Sequence, residues 1–265
     1  MDYNFISSSH ARAGEDRVVA RFFVKPKDFF GNQIVISGTE ANHITRVLRM
    51  KPGQKITVSD GCGKDFLAEI IEINKDCVKA EIIVKTTTVN EPLLDVVLFQ
   101  SLPKFDKMDI VIQKTTELGI KAIYPVITER TVVKLNEKKI HERQKRWSRI
   151  AREAAKQSNR SCIPKVGQVM DFKSALNMIN EFSLTIIPWE EEKRHNLKQI
   201  LRNSAGIKKI SFFIGPEGGF TQNEVDLAMK KGAQPVSLGP RILRTETAGI
   251  ALSAILMYEL GDIGG

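Results

Sequence analysis

Cysteine is scarce in these 265 residues: Cys62, Cys77 and Cys162 are odd in number, widely spaced and never in a CxxC pair. Neither a disulfide framework nor a zinc site follows, and ordinary reduced thiols are expected. Histidine is equally sparse, with His10, His43, His141 and His195 scattered along the chain, so no metal site is expected. No apolar run reaches the roughly 18 to 20 residues that span a bilayer, and the opening MDYNFISSSHARAGED lacks the basic-then-apolar order of a secretory signal. A cytoplasmic protein is the expectation. The GxGxxG fingerprint with its downstream ribose carboxylate is missing, which counts against an NAD-dependent oxidoreductase, and the absence of GK[ST] excludes a P-loop.

Positive charge is present, and it is concentrated. Residues 134–165 hold eleven Lys/Arg against three Glu, which is +8 of a net +9. Asn136 is placed to cap a helix with apolar Ile140, Trp147, Ile150, Ala151 and Ala154 at helical spacing. Lys145, Arg149, Arg152 and Lys156 then form a stripe on another face. Such a stripe is either a solvated helix face or a surface for a polyanion such as RNA, and unmixed sign suits the second.

At this length two domains are expected, and the chain has two textures. Residues 21–85 carry short alternating or apolar runs (RFFV, QIVIS, KITVS, DFLAEIIEI, DCVKAEIIV) between turn signals, the pattern of a small β-rich barrel or sandwich. One helix is expected within it: Ser37 and Glu40 have capping-box spacing, and HITRVLRM places Ile44, Val47 and Leu48 on one face with Arg46 and Arg49 elsewhere. Residues 1–20 show no usable periodicity and read as an extension; TTTVNEP, 86–92, reads as a linker. From residue 92 onward strands alternate with helices, which predicts an α/β unit with a largely parallel sheet, ligands binding beyond the carboxyl ends of its strands.

Two strand-loop-helix segments near the C-terminus carry the chemistry. In SFFIGPEGGFTQNEV an apolar strand stops at Gly215, and Thr221 with Glu224 predicts a capping box three residues later. The glycines between serve either the turn alone or the close approach of a ligand to the backbone. In QPVSLGPRILRTETAG the polar set Arg241, Arg244, Thr245, Glu246 and Thr247 precedes a helix, IALSAILMYEL, that is apolar on nearly every side and is expected to be deeply buried. Either a structural Arg-Glu pair or a ligand-holding role accounts for that set.

The strings IGPEGGFTQNE and SLGPRILRTETA, at this spacing, resemble the signature of the RsmE family of 16S rRNA (uridine-N3) methyltransferases in the SPOUT superfamily. LPKFDKMDIVIQKTTELGI, YPVITERTVVK, REAAKQSNR and IIPWEEE follow the family order, and HITRVLRM resembles its PUA-like RNA-binding domain. The resemblance runs from about Arg21 to Leu260; residues 1–20 depart from it. It implies a PUA-like β-barrel domain over 21–88 and, over 92–265, a methyltransferase domain whose chain forms a trefoil knot. It also implies S-adenosylmethionine as cofactor, a homodimer, and 16S rRNA within the small ribosomal subunit as partner. The implied cofactor pocket comprises Ile187, Pro188, Ile214, Gly215, Pro216, Glu217, Gly218, Gly219, Leu238, Gly239, Ile242, Leu243, Arg244, Thr247 and Ala248. Catalytic roles fall to Arg244 as electrostatic support and to Glu217 or Glu246 as proton acceptor. RNA contacts are expected from Arg46, Arg49, Lys104, Lys107, Lys145, Arg149, Arg152, Lys156 and Arg160, with Glu153 and Gln157 also placed to position a nucleotide. A 2′-O-ribose methyltransferase on the same scaffold and a non-catalytic RNA-binding factor are the rival readings.

Overall fold

The computed structural model describes residues 20–86, 90–133 and 136–264. The extension before Ala20 and the centre of the linker lie outside the described residues. The chain divides into two compact units, Met1–Thr87 and Thr88–Gly265.

In the first unit, strands β1 (Arg21–Phe23), β2 (Phe29–Phe30), β3 (Gln33–Ser37), β4 (Lys55–Ser59), β5 (Asp65–Ile73) and β6 (Cys77–Thr86) make one sheet in the order β1-β4-β5-β6-β3-β2. Alternation places Phe22, Ile34, Ile36, Ile56, Val58, Ile70 and Val78 in one core. The helical insert differs from the sequence expectation. Helix α1 covers Gly38–Asn42, and residues 43–47 form a π-helical turn in which Leu48 N–H donates to His43 O at 2.9 Å. The wider turn rotates the expected face, so Ile44 stays buried while Val47 is 68% exposed. Ser37 occupies the cap position without a side-chain hydrogen bond, so the expected capping box does not form. Arg46 and Arg49 are exposed.

The second unit is built on β7 (Asp95–Ser101), β8 (Ala122–Ile127), β9 (Lys165–Val166), β10 (Met170–Asp171), β11 (Leu184–Pro188), β12 (Lys209–Ile214) and β13 (Gln234–Val236). The sheet order is β10-β8-β7-β12-β11-β13, every pairing is parallel, and β9 also pairs with β8. Continuous apolar runs fit strands covered on both faces. Val96 and Leu98 of β7 with Ile210 and Phe212 of β12 point to α2 (Lys107–Glu117), α3 (Glu137–Gln157), α5 (Leu197–Arg202) and α7 (Thr245–Glu259). Val97, Phe99 and Phe213 point to α4 (Phe172–Leu176) and α6 (Gln222–Lys230). Phe99 stacks on Phe213 at 4.6 Å and on Tyr124 at 5.4 Å.

That second core is tight beside Gly167, where an added Cβ would stand 2.1 Å from Cδ1 of Tyr124. Lys165 Nζ lies 5.6 Å from the centroid of the same ring, which Phe99 also contacts. Gly167→Ala is expected to destabilise the protein by about 1–3 kcal/mol through overpacking, read as a lower denaturant midpoint at unchanged slope.

Asn136 caps α3, its side chain accepting from Lys139 N–H at 2.9 Å. Trp147, Ala151, Ala154 and Ala155 turn inward, Lys145 and Arg149 are exposed, and Arg152 and Lys156 are half-buried. Arg146 pairs with Asp109 of α2. Arg160 corrects the sequence reading. It is 3% exposed, its Nη2 lies 2.8 Å from Glu91 Oε2, and Nη1 donates to the carbonyls of Thr116 and Ile120 at 3.0 and 2.8 Å. A guanidinium so enclosed presents nothing to a phosphate.

Helix α7 is buried along Ala248, Leu252, Leu256 and Met257, yet Ile255 and Tyr258 are exposed. The helix packs against α2, α5, β7 and β12, and the exposed Ile255 and Tyr258 limit the deep burial expected from sequence. Among the described residues no helix is long and apolar enough to cross a membrane, and no group of His, Cys, Asp and Glu side chains could hold a metal ion.

Candidate active site

A cavity of about 750 Å³ opens where β11, β12 and β13 end. Its walls come from Pro188, Trp189, Glu190, Glu192 and Lys193 at and after the end of β11, from Ile214 and the glycine loop after β12, from 237–244 after β13, and from Lys107, Thr245 and Ala248. Ligand sites in parallel α/β sheets lie at this end, where the loops into the next helices gather.

The glycine loop is braced from several sides. A Cβ on Gly215 would meet Gly219 backbone atoms at 3.2 and 3.3 Å and the Phe220 ring at 3.3 Å, so Gly215 lets the loop fold onto itself. Gly219 turns the chain back at φ +67°, a conformation glycine adopts without a Cβ penalty. Beyond it the capping box is complete: Glu224 N–H donates to Thr221 Oγ1 at 3.3 Å and Thr221 N–H to Glu224 Oε2 at 2.9 Å. Arg130 Nη1 donates to Gly218 O at 2.8 Å, and Thr221 Oγ1 donates to Glu129 Oε2 at 3.0 Å. Thr245 Oγ1 donates to Gly215 O at 2.6 Å, tying the loop to the start of α7.

One cation serves two carboxylates at the cavity. Lys107 Nζ stands 3.3 Å from Glu217 Oε1 and 3.3 Å from Glu246 Oε2. The second contact is an ion pair without hydrogen-bond geometry, since Glu246 Oε2 is buried with no hydrogen-bond partner. Burial pushes the Glu217 carboxyl up, but the Lys104 backbone N–H at 3.0 Å and the Lys107 ammonium outweigh it and hold it below its ordinary value. Burial likewise opposes the charge on Lys107, and the two carboxylates raise it above the ordinary range. The side chains of Arg241 and Arg244 line the cavity with no hydrogen-bond or ion-pair partner among the described residues, so the Arg-Glu pair considered from sequence does not form.

The Glu217 contacts predict a pH effect. A carboxyl whose folded value is depressed stabilises fully above its unfolded value, here 4.5, and loses that contribution as pH falls through the folded value. Lys107→Met removes the cation that helps hold the Glu217 carboxyl down, so the Glu217 titration followed by NMR is expected to move to higher pH.

Of the pocket residues expected from sequence, Pro188, Ile214, Gly215, Pro216, Glu217, Gly219, Leu238, Gly239, Ile242, Leu243, Arg244 and Ala248 line the cavity. Three do not. Ile187 lies in the core under α4 and α6, Gly218 faces the Arg130 side chain at 3.5 Å, and Thr247 is exposed on α7 outside the cavity. Lys107, expected on RNA, belongs instead to the carboxylate pair; Lys104 is exposed and holds Glu217 through its backbone. Glu153 and Gln157 border a separate cleft with Arg149 between α2 and α3. Residues that sequence reasoning missed include Trp189, Glu190 and Glu192, while Arg241, named from sequence in the polar set before α7, also lines the cavity. The string IIPWEEE was the signal for the first three. Glu192 is held below the ordinary carboxylate range by the backbone N–H groups of Arg194 and His195.

Residues 89–257 match the model of an RNA methyltransferase domain, and residues 36–83 match that of an RNA methyltransferase PUA domain. A parallel sheet with its cavity at the strand ends, joined to that match, defines an RNA methyltransferase. The ribosomal RNA small subunit methyltransferase E of Bacillus subtilis is 37% identical over 225 residues, covering 83% of this chain and 88% of its own length. That of Buchnera aphidicola from Acyrthosiphon pisum is 31% identical over 94% of this chain and 96% of its own. The crystal structure of such an enzyme from Neisseria gonorrhoeae, bound to S-adenosylmethionine, superposes with a TM-score of 0.82 at 36% identity, covering 92% of this chain and 99% of that one. This chain belongs to the ribosomal RNA small subunit methyltransferase E family.

Proposed function

We propose that the protein methylates N3 of a uridine in 16S rRNA of the small ribosomal subunit, with S-adenosylmethionine as donor. The observation that carries this reading is the cavity itself, which gathers the glycine loop after β12 and the PRILRTETA segment after β13 around two unpartnered guanidiniums.

The residues present fit the cofactor. The volume lies in the range of small-molecule sites, about 300–1,000 Å³. Pro188, Ile214, Leu238, Leu243 and Ala248 give apolar walls for an adenine ring, while Glu190, Glu192 and Glu217 supply negative charge for a ligand bearing sulfonium and ammonium groups. When bound, S-adenosylmethionine supplies an electrophilic methyl group, so the protein has to align the base and favour loss of the N3 proton. Deprotonated uracil spreads negative charge over its ring carbonyls, and the Arg244 guanidinium is free to support that anion. Glu217 is a weak base where it stands, because two donors hold its carboxylate; its work is to anchor the loop to Lys104 and Lys107. Glu246, at the first turn of α7, is the proton acceptor in this reading.

RNA is held by Lys145 and Arg149 of α3, with Arg152 and Lys156 behind them, and by Lys104, Arg46 and Arg49 in their own units. These contacts position phosphates without reading sequence. The target base is unpaired, because N3 is its pairing atom. A homodimer covers the apolar side of α7 that carries Ile255 and Tyr258, and a trefoil knot formed by the C-terminal segment is part of the same reading. The ribosomal substrate places the enzyme in the cytoplasm.

The test supplies methyl-labelled S-adenosylmethionine and small subunits lacking the modification, then digests the 16S rRNA to nucleosides. Label in 3-methyluridine is expected. Label in a 2′-O-methylated nucleoside would replace base by ribose as the acceptor, and neither transfer nor cofactor binding would leave an RNA-binding factor.

A further inference from the structure

Gln100 is a fully buried amide at the carboxyl end of β7, on the face of the sheet that carries Leu98, where Leu98 and Val111 lie against Gly249. Its Nε2 donates to Ser101 O at 3.1 Å and to Thr245 Oγ1 at 2.9 Å. A hydroxyl has one proton, and with the amide donating to its oxygen the Thr245 proton goes to Gly215 O, 2.6 Å away. The series has a fixed direction, from amide to hydroxyl to carbonyl. It joins the central strand to the first residue of α7 and the first glycine of the cavity loop.

Two stability costs meet at the same point. Oε1 of Gln100 is buried without a hydrogen-bond partner. Gly249 sits inside α7, where glycine weakens a helix, and a Cβ there would stand 2.8 Å from that Oε1. An apolar residue at 100 and alanine at 249 would satisfy packing alone. Local rules broken together beside a ligand cavity mark a functional constraint.

We propose that Gln100 is a positioning residue for S-adenosylmethionine: through Thr245 it holds the Gly215 carbonyl and the first turn of α7 in the arrangement that receives the cofactor. This rests on reading the cavity as the cofactor site. The charged side chains that α2 and α7 bring to this end of the sheet are Lys107 and Glu246, paired with each other, and Arg244. Ser101, Thr245 and Gly249, the groups against the amide itself, do not titrate in the range used below.

Gln100→Glu reverses the series without changing its shape. An ionised carboxylate only accepts, so the Thr245 proton turns to it and Gly215 O loses its donor; a protonated carboxyl donates again. Burial raises the pH at which that change occurs. Calorimetric titration of the full-length protein with S-adenosylmethionine at pH 6 and pH 9, alongside thermal melting, tests this. At pH 9 the variant is expected to bind about tenfold more weakly than wild type, the worth of one hydrogen bond, and at pH 6 most of that loss is recovered. Equal affinity at pH 9, or a loss identical at both pH values, would overturn the proposal. Should the variant not fold, Thr245→Ser against Thr245→Val decides: the hydroxyl-bearing variant is expected to bind about tenfold more tightly, and equal binding would overturn the proposal. Wild-type protein that binds no S-adenosylmethionine would instead overturn the cofactor reading, and this inference with it.

Discussion

Replacing Arg244 by alanine is expected to lower kcat for methyl transfer by about 10²–10³-fold, the effect of removing one preorganised donor from a developing anion. The residue stands at the start of α7, lines the cavity, and has no carboxylate or carbonyl holding its side chain among the described residues. A guanidinium without an internal partner is available to the substrate, whereas one held by Glu246 would not be. Arg244→Lys keeps the charge but loses the planar fork, so an intermediate rate is expected. Single-turnover measurements with saturating cofactor and RNA isolate the chemical step. A variant with unchanged kcat and a raised KM for RNA would move Arg244 from the reacting base to a phosphate.

Arg160→Ala is expected to cost about 3–5 kcal/mol of stability, because it breaks a buried, hydrogen-bonded ion pair and leaves its partners exposed to nothing. Glu91 would keep the backbone N–H groups of Ser161 and Cys162, each at 2.8 Å, but lose its bidentate cation. The Thr116 and Ile120 carbonyls that close the end of α2 would lose their donor as well. For a unit of this size that corresponds to a melting shift on the order of 10 °C. RNA affinity of the folded fraction should be unchanged, in contrast to Lys145→Ala or Arg149→Ala, which weaken RNA binding and flatten its salt dependence. A variant of normal stability with weak RNA binding would restore Arg160 to the RNA surface.

The sequence by itself determined what depends on neighbours a few residues away. The alternation of 2 and 3.6 marked the strands and helices of the second unit, Asn136 and the Thr221 and Glu224 pair marked where α3 and α6 begin, and two strand-loop-helix segments marked the cavity loops. Capping and periodicity are local, so they are legible in a short window. Ser37 and Glu40 show the limit: the spacing is right, but the π turn after Asn42 takes the chain out of the expected helix. What only the tertiary structure decided involves partners far apart in sequence. Arg160 meets Glu91 across 69 residues, Glu217 meets Lys107 across 110, and Gln100 meets Thr245 across 145. Basic residues in one charged run thereby divide into a buried brace and an exposed surface, and an unremarkable glutamine becomes part of the cavity's support. No local pattern encodes those pairings, because each is set by which strands lie side by side in the sheet and which loops their ends bring together.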